Sequence, residues 1–155
     1  MALLAKILTV SDSVHGGSRE DRSGPALATF LEGHGFTIVA REVVADGVDP
    51  VAGALRRLSL AFTGLVVTTG GTGFSPTDLT PEGTRRVVER EAPGLAQAIS
   101  ACSPLGRLSR GVAGTTGTCL IVIVPGSTTG AVESIESVID VLPHALELLA
   151  GGRPH

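Results

Sequence analysis

Residues 66–81, VVTTGGTGFSPTDLTP, pass from a β-branched apolar run into three glycines within four positions, Gly70, Gly71 and Gly73, and reach Asp78 five residues after the last of them. Glycines so closely spaced admit positive φ and let backbone N–H groups meet a ligand with no side chain in the way, which suits an anion. Thr72 sits inside the cluster. The segment has neither the Lys-Ser/Thr ending of an ATP-binding P-loop nor the glycine spacing of the dinucleotide fingerprint. A tight turn that holds nothing accounts for a GGTG taken alone equally well.

Asp46, in the ADG of residues 45–47, and Asp78 can supply carboxylate oxygens to Mg²⁺, which commonly takes one or two such ligands together with substrate phosphates. That combination points to a nucleotide. Asp12, between Ser11 and Ser13, is a third candidate, and each of these acids alone also reads as a turn or cap residue. Pro125, Gly126 and Ser127 precede a helical pattern, so the N–H groups of Gly126 and Ser127 lie near a positive helix end, a seat for phosphate or for the polar edge of a heterocycle. Plain capping by Ser127 or Thr128 is the alternative. Ser109 and Arg110 offer a hydroxyl and a guanidinium to an anion, although an arginine in a loop is by itself an ordinary surface charge. His15, His34, His144 and His155 show no spacing for metal ligation and no paired nucleophile, which argues against a histidine-based mechanism and leaves the role of His15 open.

The elements that must position these residues alternate along the chain. Residues 3–10 read as a buried strand, 24–35 as a helix, 36–44 as a strand, 50–61 as a helix and 63–69 as a strand. The stretch 81–102 reads as two helical pieces divided at Pro93-Gly94, and 108–117 as irregular or weakly extended. Residues 118–127 form a long apolar strand, and 130–151 a closing helix with apolar positions 132, 135, 138, 139 and 142 on one stripe and a kink at Pro143. This rhythm predicts an α/β fold, a mostly parallel sheet with helices on both faces, in one domain spanning residues 1–155. In such folds ligands gather beyond the carboxyl ends of the strands, where SDS, ADG, TTGGTG and PGS all fall.

Composition narrows the function classes. The chain is 43% hydrophobic and 17% charged, which favours a packed core over disorder. Only 3% is aromatic, all of it Phe, so the stacking platforms of single-strand nucleic-acid binders are missing. The net charge of -3 and the single lysine, Lys6, leave no basic face for a nucleic acid. Cys102 and Cys119 are too few for a disulfide framework and read as two buried free thiols in a reducing compartment. The opening MALLAKILTVSDS reads as a first strand rather than an export signal, and no apolar stretch approaches membrane-spanning length, so a cytoplasmic protein is expected.

The order SDS, DRSGP, TTGGTGFSPTDLTPE, EREAPGL, LSR and PGS resembles the MoaB/Mog molybdopterin-binding domain family, from Ile7 to about Leu149. The resemblance is strongest to its molybdopterin adenylyltransferases and extends to the G domains of gephyrin and its plant counterpart. It implies activation of molybdopterin with ATP and Mg²⁺, giving adenylylated molybdopterin and pyrophosphate, with a partner protein for later molybdenum insertion. It also implies a homotrimer of three-layer α/β/α subunits. On the family pattern Asp46 and Asp78 are the catalytic, metal-holding acids, Gly70, Gly71, Thr72 and Gly73 line the nucleotide phosphates, and Ser13, Ser109 and Ser127 face the pterin and its phosphate. Two alternatives stand beside this reading: a non-catalytic pterin carrier or scaffold of the same fold, and an unrelated flavodoxin-like binder that shares only the strand-edge logic.

Overall fold

A computed structural model describes residues 1–153; His155, weighed above as a ligand, lies outside them. The first strand, β1 (Leu3–Val10), enters the interior and buries its last four positions completely or nearly so. It leads directly into a one-turn helix, α1 (Asp12–His15), where only a loop was predicted, because Ser11 Oγ accepts from the Val14 amide (3.3 Å) and caps the turn. Next come α2 (Ser23–Glu32), β2 (Phe36–Val44), α3 (Val48–Ser59) and β3 (Gly64–Thr69), close to the predicted bounds. Helix α2 buries Leu27 and Leu31 one turn apart, and α3 buries Val51, Leu55 and Leu58 on one stripe.

The second half follows as α4 (Thr80–Arg85), β4 (Arg90–Glu91), α5 (Pro93–Ala101), a 3₁₀ turn (Pro104–Leu108), β5 (Ala113–Thr116), β6 (Cys119–Val124), α6 (Thr128–Glu136) and α7 (Leu142–Leu149). Two expectations need correction. The stretch 81–102 contains the short strand β4, and Pro93 opens a helix rather than dividing two. The closing helix is two helices, and Pro143 lies in the first turn of α7, where its missing N–H costs nothing.

One six-stranded sheet has the order β2-β1-β3-β6-β5-β4. Its first four strands are parallel, and β5 and β4 each run antiparallel to the preceding neighbour in that order. One core layer packs Leu27, Leu31, Ile135, Leu142 and Leu146 against Ile7, Val67 and Val122. The other packs Val51, Leu55 and Leu58 against Leu8, Val66 and Ile121. Adjacent strand residues thus face opposite layers, as the pleat requires, and the fold is the expected three-layer α/β/α arrangement.

Register decides where chemistry can occur. Val10 pairs with Val44, Thr9 with Thr69, and Thr69 with Val124. The four parallel strands therefore end in one row, and the residues that follow them form a continuous rim.

Candidate functional site

The rim is built around the loop after β3. Gly70 and Gly71 adopt φ of 103° and 69°. A Cβ at Gly70 would run into the Val10 carbonyl, and one at Gly71 into Thr80 Oγ1, so neither position accepts a side chain. Thr80 Oγ1 donates to the Gly70 carbonyl (2.8 Å) and the Thr80 amide to the Gly71 carbonyl (3.1 Å). The Arg110 amide donates to the Thr72 carbonyl (2.8 Å). In a planar peptide the carbonyl of one residue and the N–H of the next point opposite ways. Tying those three carbonyls inward therefore turns the amides of Gly71, Thr72 and Gly73 outward, and none of the three has an acceptor among the described residues. Successive amides of this kind can receive an anion.

The acids are held with similar care. The Asp12 amide donates to Asp46 Oδ2 (3.0 Å), and the Asp46 amide donates back to Asp12 Oδ1 (3.0 Å), a reciprocal clamp joining the tips of β1 and β2. Burial raises the Asp46 pKa; the bond from the Asp12 amide opposes this, and the negative charges of Asp12 and Asp78 add to the rise. Asp78 Oδ2 accepts from the Ser75 amide (3.0 Å), and the Asp78 amide donates to the Ser75 carbonyl (2.9 Å).

Two clefts open on the rim. The first, of about 720 Å³, is polar and charged, lined by Ser11, Arg19, Arg22, Asp46, Gly70 and Thr128 among others. The second, of about 760 Å³, is more apolar, lined by Ile99, Cys102, Leu105, Leu108, Pro125 and a set of hydroxyls including Ser103 and Ser109. Gly71, Asp78, Gly126 and Ser127 line both. Each volume suits a small organic ligand.

Of the residues singled out by sequence, Ser11, Asp46 and Gly70 line the first cleft, Thr72, Gly73, Ser109 and Pro125 the second, and Gly71, Asp78, Gly126 and Ser127 their common wall. Asp12, Ser13 and Arg110 line neither. The Asp12 carboxylate serves the clamp, and the Ser13 hydroxyl is hydrogen-bonded to Ser11 Oγ (3.2 Å). Arg110, expected to offer its guanidinium to a ligand, instead donates from Nε to the Gly73 carbonyl (2.9 Å) and from Nη1 to Glu82 Oε2 (2.6 Å). Ser127 is also a cap: its Oγ accepts from the Gly130 amide (3.1 Å) at the start of α6. His15 is exposed and lines neither cleft.

Sequence reasoning passed over the segment 19–23 and Thr80 as site residues. Asp21 accepts from Thr9 Oγ1 (3.0 Å) and from the Gly24 amide (3.1 Å), fixing the start of α2 at the first cleft. An aspartate three residues before a helical glycine is a legible capping signal. Thr80 gives no such signal, since its partner lies ten residues back in a loop.

The donor set fits a magnesium ion that arrives with phosphates. Among the described residues no group of three or more His, Cys, Asp or Glu side chains can hold a metal by itself. Asp46 and Asp78 line one cleft, and two such carboxylates would leave the remaining ligands of the ion to substrate and water.

Fold and site together define an α/β protein with clefts and outward-facing amides at its parallel strand tips. The chain belongs to the family described as "Probable molybdopterin binding domain", whose pattern it matches over residues 6–144. It is 33% identical over 152 residues to molybdopterin adenylyltransferase of Helicobacter pylori, covering 94% of this chain and 86% of that one. It is 36% identical to the molybdenum cofactor synthesis protein cinnamon of Drosophila melanogaster over 92% of this chain, but spans only 25% of that protein's length. Among solved structures it resembles the molybdopterin biosynthesis enzyme MoaB of Thermus thermophilus, with TM-score 0.91 and 42% identity over 96% of this chain and 97% of that one.

Proposed function

We propose that this protein adenylylates molybdopterin with ATP and Mg²⁺ and releases pyrophosphate. The observation that carries the reading is the wall common to the two clefts, Gly71, Asp78, Gly126 and Ser127, where two phosphorylated ligands can meet. The name of the Helicobacter pylori relative supports the same reaction.

In this reading the charged first cleft takes the ATP phosphates and the second cleft takes the pterin, with Ser109 and Ser127 near its polar groups. The nest of Gly71, Thr72 and Gly73 amides receives phosphate oxygens between the two. Asp46 and Asp78 would hold Mg²⁺, which neutralises charge on the phosphates when bound. A phosphate oxygen of molybdopterin forms a bond to the α-phosphorus of ATP, the bond from that phosphorus to the bridging oxygen of the β-phosphate breaks, and pyrophosphate leaves with the electron pair. A phosphate monoester has a second pKa of about 6, so the attacking oxygen is already ionised at neutral pH and no general base is required. The protein's contribution is alignment of two polyanions and fixed donors for the charge that develops at the α-phosphate. The same reading carries a homotrimer in the cytoplasm that passes its product to a molybdenum-insertion partner.

The test is pyrophosphate release from ATP, dependent on both molybdopterin and Mg²⁺. Asp78→Ala is expected to abolish it while the circular dichroism spectrum stays native. Unchanged turnover in that variant refutes the role of Asp78, and tight molybdopterin binding by the wild type with no adenylylated product favours a carrier.

A further inference from the structure

Resting on that reading of the reaction, we propose that Arg110 is a positioning residue that couples the two clefts, fixing the amide nest and Asp78 from a segment whose other side walls the pterin cleft. Pro104, Leu105, Leu108 and Ser109 of that segment line the second cleft. Immediately after them, the Arg110 amide holds the Thr72 carbonyl (2.8 Å), which aims the Gly73 amide outward. The side chain then reaches three further places. Nε donates to the Gly73 carbonyl (2.9 Å), Nη2 to the Asp78 carbonyl, and Nη1 and Nη2 to the two oxygens of Glu82 (2.6 and 3.3 Å). Ser109 adds a bond from its hydroxyl to Thr72 Oγ1 (3.3 Å).

The planar guanidinium alone can make this set of contacts, because its donors diverge in a fixed fork. Glu82, on α4, orients the fork through two charge-assisted bonds. The carbonyls of Thr72, Gly73 and Asp78 are thereby referred to one residue, the first through its amide and the other two through its side chain. A ligand that presses on Leu105, Leu108 or Ser109 moves the residue that sets Asp78 and the nest, and the effect runs equally in reverse, because coupling between two sites is reciprocal.

The experiment is calorimetric titration of a non-hydrolysable ATP analogue with Mg²⁺ into wild type, Arg110→Lys and Arg110→Ala, each with and without molybdopterin. Melting curves and the amide resonances of Gly71, Thr72 and Gly73 are recorded alongside. In wild type, molybdopterin is expected to change the analogue's affinity about fivefold or more, within the usual range of coupling between sites. In Arg110→Ala the affinity should fall about tenfold or more, as loss of charge-assisted bonds implies, and the effect of molybdopterin should vanish. Arg110→Lys keeps the charge but not the fork, so it should stay folded, lose the coupling and show shifted nest resonances. Added guanidine should partly restore binding in Arg110→Ala.

A variant that melts earlier but binds the analogue and responds to molybdopterin as wild type does overturns the proposal, because Arg110 would then serve the fold alone. Wild type that shows no coupling, or does not bind the analogue, overturns it as well. Wild type that shows the coupling but forms no adenylylated product refutes the transfer reaction and leaves the role of Arg110 intact.

Discussion

Asp46 enters the cleft with Oδ2 accepting from the Asp12 amide (3.0 Å), and with Asp12 and Asp78 adding negative charge to the rise in pKa that burial has begun. Because its pKa is higher folded than unfolded, folding favours the protonated form. That contribution is complete below the ordinary value of 3.8 and is lost as pH rises through the raised folded value. At neutral pH the ionised carboxylate therefore opposes folding, a cost that the proposed cation would offset. Asp46→Asn keeps an oxygen for the Asp12 amide and removes the charge. It should melt higher than wild type at pH 7, with a gain that fades as pH approaches 3.8, and, if Asp46 holds the metal as proposed, it should lack the upward shift expected of the wild type on adding Mg²⁺. Thermal scans across that range decide it, and a lower melting temperature at pH 7 without Mg²⁺ rules the argument out. Glu82 behaves oppositely: the bond from Arg110 lowers its pKa, so its contribution is present above 4.5 and disappears as pH falls through the folded value. Glu82→Gln should destabilise modestly at pH 7, since both partners are more than a third exposed, and flatten the acid limb of the stability curve. The positions of Asp46 and Asp78 were legible because each follows an apolar strand. The inward turn of Arg110 was not, because its side-chain acceptors lie 28 to 37 residues away and a residue type carries no direction.

At the scale of elements, α4 matters through its first residue. Thr80 is fully buried, and its hydroxyl satisfies the Gly70 carbonyl while its amide satisfies the Gly71 carbonyl. Thr80→Val removes the hydroxyl and leaves a carbonyl unpaired, at a cost of about 1–3 kcal/mol. Urea denaturation should show that loss in Thr80→Val and little change in Thr80→Ser, which keeps the donor; equal losses in both would mean that the methyl group rather than the bond matters. The alternation of apolar strand and amphipathic helix made the parallel half of the fold readable, but it misled at the closing segment. Ile135, Val138 and Leu142 all enter the same core, so the apolar stripe continues through a break in the backbone. The break shows only in its hydrogen bonds, from the Val138 amide to the Ile135 carbonyl (3.1 Å) and from the Val141 amide to the Val138 carbonyl (3.1 Å), which are one residue tighter than an α-helix allows. Strand β4 escaped for another reason. Its exposed two residues carry no periodicity and are extended by pairing with β5, which a local reading does not contain.

The whole molecule closes two core layers over the sheet and leaves the clefts on the rim, and its two thiols report on this division. Cys119 begins β6 with no exposed surface, and burial pushes its thiol up to about 12 despite the nearby positive charge of Lys6. Cys102 is half-buried and lines the second cleft beside Leu105 and Ser109. The thiolate is the reactive form, so an accessible thiol and a buried one separate sharply in rate. An alkylating reagent should modify Cys102 in the native protein and leave Cys119 untouched until the sheet opens. The rate at Cys119 should then follow global unfolding and rise with urea in step with loss of the circular dichroism signal. A ligand that fills the second cleft should slow the reaction at Cys102 and leave the native-state protection of Cys119 unchanged. Peptide mapping after short exposures distinguishes the two sites. Comparable labelling of both in the absence of denaturant would mean that β6 opens locally, and the proposed alignment of two polyanions on the row of strand tips would lose its support.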